Sequence, residues 1–175
     1  MAFFEQINLR KLRKALVYLG CILVALWLQN MMLSRGGLLG VKPFFIPALA
    51  VSIGMFEGGI WGGMLGLVAG IGCDVGFSDT TVLFTVLFAA IGFFSGLLTE
   101  FFINRRFVAW LLLTVLALLV TAFCQIVPLW IFRGTAFRPL AGVGLLQCLW
   151  SLPFAVITYA AVKLIAGRER DRIPG

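Results

Sequence analysis

Histidine is absent from the 175-residue chain. That removes the commonest general base and any Ser-His-Asp triad. Four cysteines, Cys21, Cys73, Cys124 and Cys148, stand alone inside apolar stretches with no C-x-x-C spacing. Without histidine, zinc would need an unusual ligand set. The four read as small apolar residues, buried or facing lipid. Among the acids Asp74 is the most informative, because it follows Gly70-Ile71-Gly72-Cys73 near the end of an apolar run. At the centre of a spanning helix an acid costs about 2.5–3.5 kcal/mol. Two readings fit it. One is a proton or ion site, or a polar anchor for a partner helix. The other is a helix-end residue among headgroups, bonding backbone N–H groups of the next helix. Asp74→Asn is expected to leave the fold intact. Glu57 falls at a probable turn, and Glu100 lies one turn before Asn104-Arg105-Arg106, where an interfacial role fits.

Other polar groups are sparse. Gln29, Asn30, Gln125 and Gln147 suit hydrogen bonds across helices, each worth about 0.6–2 kcal/mol in a membrane. Trp27, Trp61, Trp110, Trp130 and Trp150 are scattered as interface or packing residues are. No P-loop, metal motif or pair of catalytic carboxylates is visible. The sequence therefore points away from an enzyme, and it calls for no cofactor and no metal.

Composition names the elements that must position these groups. Hydrophobic residues make up 62% of the chain and charged residues 12%. Soluble domains average about 45–50% and about 25%. Mean hydropathy is +1.08. A soluble domain of this size cannot hide so much apolar surface, whereas lipid can solvate it. The expected fold is an all-α integral membrane protein of about six transmembrane helices. The net charge of +7 flanks the apolar segments. It therefore suits anionic headgroups rather than nucleic acid.

The pattern predicts a basic lead-in over 1–14, a polytopic membrane domain over 15–166 and a charged tail over 167–175. The spans are expected over 15–33, 43–56, 58–77, 80–103, 107–132 and 142–166. Asn8 is a candidate cap before the first span. No small-x-small cleavage site follows that span, so it is expected to be retained. Pro43 suits the first turn of the short second segment, with Pro47 tolerated or kinking it. Ser78 or Asp79 suits the cap of the fourth span. Pro128 is expected to bend the fifth, and Pro153 lies within the sixth.

Gly54, Gly58, Gly62, Gly66 and Gly70 recur every four residues. The last four are expected to form one strip on the third helix, broadened by Gly59 and Gly63, with Gly92 and Gly96 as a second pair. In lipid, small residues at this spacing let another backbone approach closely, within the chain or in a partner. Gly66→Leu should therefore weaken folding or assembly. With six spans, ten basic residues fall on the side of the chain ends and four (Arg35, Lys42, Arg133, Arg138) on the other. The positive-inside rule then predicts both termini in the cytoplasm.

The order of features resembles the MreD family of bacterial rod-shape-determining proteins. A basic lead-in and one helix come first. Lys42-Pro43 then opens the second segment. A glycine-rich third helix runs through Gly62-Gly63-Met64-Leu65-Gly66 to Asp74. The last helix has Trp150 and Pro153 near its start and Lys163 near its end. The resemblance implies a non-catalytic scaffold of the inner membrane. It also implies partners: the bitopic protein MreC directly, and the MreB filament and peptidoglycan synthases indirectly. That family is similar in fold to the six-helix substrate-binding subunits of energy-coupling-factor transporters. A vitamin-binding subunit is therefore the competing function. It needs an outward cavity, for which Asp79, Trp130, Arg133 and Arg138 are the available residues, and a cytoplasm-near, Ala-rich strip on the first helix, which Ala15 and Gly20 imitate poorly.

Overall fold

The computed structural model describes the backbone of residues 2–34, 43–76, 82–101, 106–133 and 137–170, and the side chains of 12–31, 43–76, 82–101, 106–127, 130 and 140–167. Ser78, Asp79, Lys42 and Arg105, and the side chains of Pro128, Arg133 and Arg138, lie outside the described residues. The described chain forms six α-helices: α1 (Ala2–Ser34), α2 (Ile46–Glu57), α3 (Gly59–Gly76), α4 (Leu83–Phe101), α5 (Phe107–Arg133) and α6 (Phe137–Arg170). All but α2 are long and apolar enough to cross a membrane. This is an all-α, multi-pass membrane fold.

Helix bounds depart from the sequence reading in instructive ways. α1 is already helical at Ala2, so Asn8 lies inside it rather than at its N-cap position. Its 33 residues measure about 50 Å, longer than the roughly 30 Å hydrocarbon core. α6 likewise runs through the expected tail to Arg170 and carries Pro153 inside it. Pro43 is not helical. α2 begins only at Ile46, and Pro47 takes the first-turn place where a missing N–H costs nothing.

That late start makes α2 unusual. Its 12 residues reach about 18 Å, too little to cross. The non-helical residues 43–45 add at most about 10 Å, and the two together approach the core thickness. Every residue from Pro43 to Met55 is buried. One side of α2 packs with Tyr18 and Ile22 of α1, Leu65 and Ala69 of α3, and Phe84 and Phe88 of α4. The other packs with Trp110 and Ala117 of α5 and with Ala155 and Tyr159 of α6. α2 is the central post, and the five spanning helices enclose it.

The N-terminal half of α1 and the C-terminal part of α6 meet at one end of the bundle. Lys14 pairs there with Glu57 at the end of α2, and Phe56 meets Tyr159 of α6 at 5.5 Å between ring centroids. Lys163 sits 5.8 Å above the same tyrosine ring. This terminal end holds Glu57, the start of α3 and the start of α5. Asp74 and the start of α4 lie at the far end.

Candidate functional site

The glycines lie in a seam where α2, α3 and α4 touch backbone to backbone. A Cβ built on Gly62 would come within 2.5 Å of the Gly54 Cα, and one on Gly92 would lie 2.7 Å from the Gly62 carbonyl carbon. Further along, a Cβ on Gly66 would meet the Phe88 carbonyl carbon at 2.9 Å, and one on Gly70 the Phe84 oxygen at 2.5 Å. Gly96 completes the seam against Gly58 and Gly59. None of these positions has room for a methyl group. Lipid supplies no hydrophobic drive between helices, so this close approach supplies dispersion contact instead.

Gly58 has a different task from the other glycines. It is not on the α3 face but joins α2 to α3, with φ of 95°. Its N–H donates to the Gly54 carbonyl and its own carbonyl accepts from Gly62 N–H, both at 2.9 Å. One residue thus reverses the chain while keeping both hydrogen-bond ladders whole. A side chain at that φ is strained, and it would also strike the Glu100 carboxylate. Glu57 beside it accepts the Tyr18 hydroxyl at 2.6 Å, so α1 is fastened to the joint by Tyr18 and Lys14 together.

Asp74, half-buried on the last turn of α3, closes the far end. Its carboxylate accepts the Phe84 N–H at 3.1 Å, the Thr85 N–H at 2.8 Å and the Thr85 hydroxyl at 2.5 Å. These N–H groups belong to the first turn of α4, where no intrahelical acceptor exists and negative charge is favoured. The second sequence reading describes this geometry. Asp74→Asn, expected to leave the fold intact, should still cost stability, because an amide offers one acceptor oxygen where three donors converge.

Residues 43–45 carry buried, non-helical backbone, whose polar groups need partners within the protein. The Gln29 amide of α1 supplies them from one side. Its Nε2 donates to the Pro43 carbonyl at 2.6 Å and its Oε1 accepts Phe45 N–H at 3.4 Å. Ser151 of α6 works from the other side, accepting Phe44 N–H at 2.7 Å and donating to the Gln147 carbonyl at 2.7 Å. Lower on α2, Ser52 accepts the Trp110 indole N–H at 2.8 Å and donates to the Ala48 carbonyl. Sequence reading flagged Gln29 but missed Ser52 and the role of Ser151. The available signal was the Pro43/Pro47 pair, which forbids regular helix and so demands outside partners.

These contacts limit the chemistry on offer. Among the described residues no three His, Cys, Asp or Glu side chains gather as a metal site, and all four cysteines are free. The Thr114 hydroxyl on α5 is the one buried side-chain polar atom there without a hydrogen bond. Gln125 and Gln147 line a void of about 10 Å³ between α5 and α6, room for about one water. A groove of about 260 Å³ between α4 and α5 is lined almost wholly by apolar side chains. Trp130 is exposed and Trp110 fully buried. Ala15 is half-buried, and Gly20 has nothing within 4 Å of a built Cβ. The chain matches no family model, no curated protein and no solved structure.

Proposed function

We propose that the chain is a non-catalytic membrane scaffold of the bacterial cell-elongation machinery. In this reading it binds an MreC-like bitopic membrane protein and so supports lateral peptidoglycan synthesis and rod shape. The proposal rests first on the order of motifs described above. One structural observation favours it over transport. Several buried or half-buried polar groups are tied to the chain's own backbone: Gln29 and Ser151 to residues 43–45, Ser52 to α2, and Asp74 to α4. Much of the surface left to meet a partner is apolar, with the outer faces of α1 and α6 broadly exposed. Such surfaces suit another helix better than a polar small molecule, which needs convergent polar groups in a cavity. The same proposal puts the protein in the inner membrane with both termini in the cytoplasm, following the ten-to-four split of basic residues.

Purification in mild detergent from native membranes, followed by mass spectrometry, tests this. Recovery of an MreC-like protein and peptidoglycan synthases supports the scaffold. Recovery of paired ATPases with a transmembrane coupling protein refutes it in favour of a vitamin-binding subunit.

A further inference from the structure

We infer that the joint into α4 is a sprung catch: Asp74 holds the first turn of α4 shut against a strained backbone at Val82, so this turn releases from α3 while the rest of the seam stays closed. Among the described residues the backbone takes positive φ at two places, Gly58 with 95° and Val82 with 71°. Each stands just before a helix of the seam, the first before α3 and the second before α4. Glycine adopts such a φ freely. A β-branched residue does not, because its Cβ crowds the following carbonyl. The two joints are alike in shape and unlike in energy.

Nothing in Val82 itself asks for that conformation. Its side chain is exposed, so burial does not impose it. Its carbonyl accepts the Val86 N–H at 3.4 Å, which puts it at the cap position of α4. Cap residues ordinarily have extended backbone and bring a side-chain oxygen to the second or third N–H of the helix. Valine brings none. Asp74 of α3 supplies the oxygens instead, taking those N–H groups, of Phe84 and Thr85, and the Thr85 hydroxyl. Phe84 is buried, its ring centroid 5.3 Å from that of Phe44. Thr85 lies so close to α3 that a Cβ on Gly70 would strike its Cα. These contacts fix the first turn from outside and force the strain on Val82. Backbone outliers persist where the surroundings over-determine them, and they gather at parts that switch. When the clasp lets go, Val82 relaxes to negative φ. Phe84 and Thr85 then lift from Gly70, and the far end of the glycine face is bared.

Hydrogen exchange of the whole protein in lipid nanodiscs, read at single amides, tests this. Amides in a turn that opens locally exchange in proportion to the population of the open form. Left-handed backbone disfavours an L-residue about 5- to 30-fold. The greater freedom of glycine in the released form offsets part of that, so Val82→Gly should slow exchange at Phe84 and Thr85 about fivefold and leave the Gly62 amide unchanged. Val82→Thr is the control for ordinary capping. It keeps the β-branch, and with it the strain, while adding the cap oxygen that valine lacks. It should stay within about twofold of the wild type, the spread of ordinary surface changes, because Asp74 already takes both N–H groups. No slowing by glycine overturns the inference, as does equal slowing by threonine, which would make capping the cause. Slowing that reaches Gly62 equally also overturns it, since the whole seam would then open as one unit.

Discussion

Replace Gly66 with alanine, and the new methyl carbon would sit 2.9 Å from the Phe88 carbonyl carbon. Carbon atoms prefer about 3.5–4.0 Å. The opposing atoms are backbone, so no rotamer can yield, and α3 must move off α4 by about an ångström. Overpacking of this kind costs about 1–3 kcal/mol, while alanine's better helix propensity returns up to about 1 kcal/mol. The expected net loss is about 1–2 kcal/mol. Gly142→Ala is the matched control, because nothing lies within 4 Å of a Cβ built there. It should be neutral or stabilise by up to about 1 kcal/mol. The two variants should thus differ by about 2 kcal/mol, roughly 30-fold in the unfolding equilibrium. Unfolding in mixed micelles under a denaturing-detergent titration, followed by tryptophan fluorescence, measures this directly. If Gly66→Ala and Gly142→Ala agree within about 0.5 kcal/mol, the spread of ordinary surface changes, the seam is not a close backbone contact and the reasoning fails. Gly66→Leu adds three more heavy atoms at the same point and should yield little folded protein.

The same titration checks three other sites. Asp74→Asn removes charge and acceptor capacity from three hydrogen bonds to α4, and should cost about 1–3 kcal/mol. In Thr85→Val that loss should shrink, since one of the three donors is already gone. Gln29→Leu strands the Pro43 carbonyl and the Phe45 N–H, at about 1–3 kcal/mol for each orphaned group. A Gln29→Leu protein as stable as wild type would mean that residues 43–45 find other partners. Trp110→Phe loses one bond to Ser52, which keeps its link to the Ala48 carbonyl, so about 1 kcal/mol is expected.

Some of this architecture could be read along the chain and some could not. Glycines spaced by four announce a helix face that admits another backbone, because helix periodicity alone places them together. Their partner could not be read: that Gly62 faces both Gly54 and Gly92 depends on how two hairpins fold onto each other. Gly58 shows the limit of spacing. It keeps the four-residue rhythm, yet it makes the turn, and periodicity does not distinguish a face residue from a joint. Asp74 was legible as a helix-end acid, since it needs a donor only about ten residues ahead. Ser151 was not. Its partner, the Phe44 N–H, is 107 residues away in sequence, and no local rule connects a hydroxyl in the last helix with a break in front of the second.

That last pairing bears on how the chain is made. α2 and the non-helical stretch before it emerge from the ribosome early, but the hydroxyl that satisfies Phe44 belongs to α6, the last helix synthesised. Until α6 arrives, this stretch lacks the Ser151 hydroxyl, and α2 lacks the Ala155 and Tyr159 side of its packing. The second segment therefore packs first against α1, α3 and α4, and its burial is completed only when the final helix closes around it. A chain cut short before residue 151 would keep most of its spans and leave one side of its post bare.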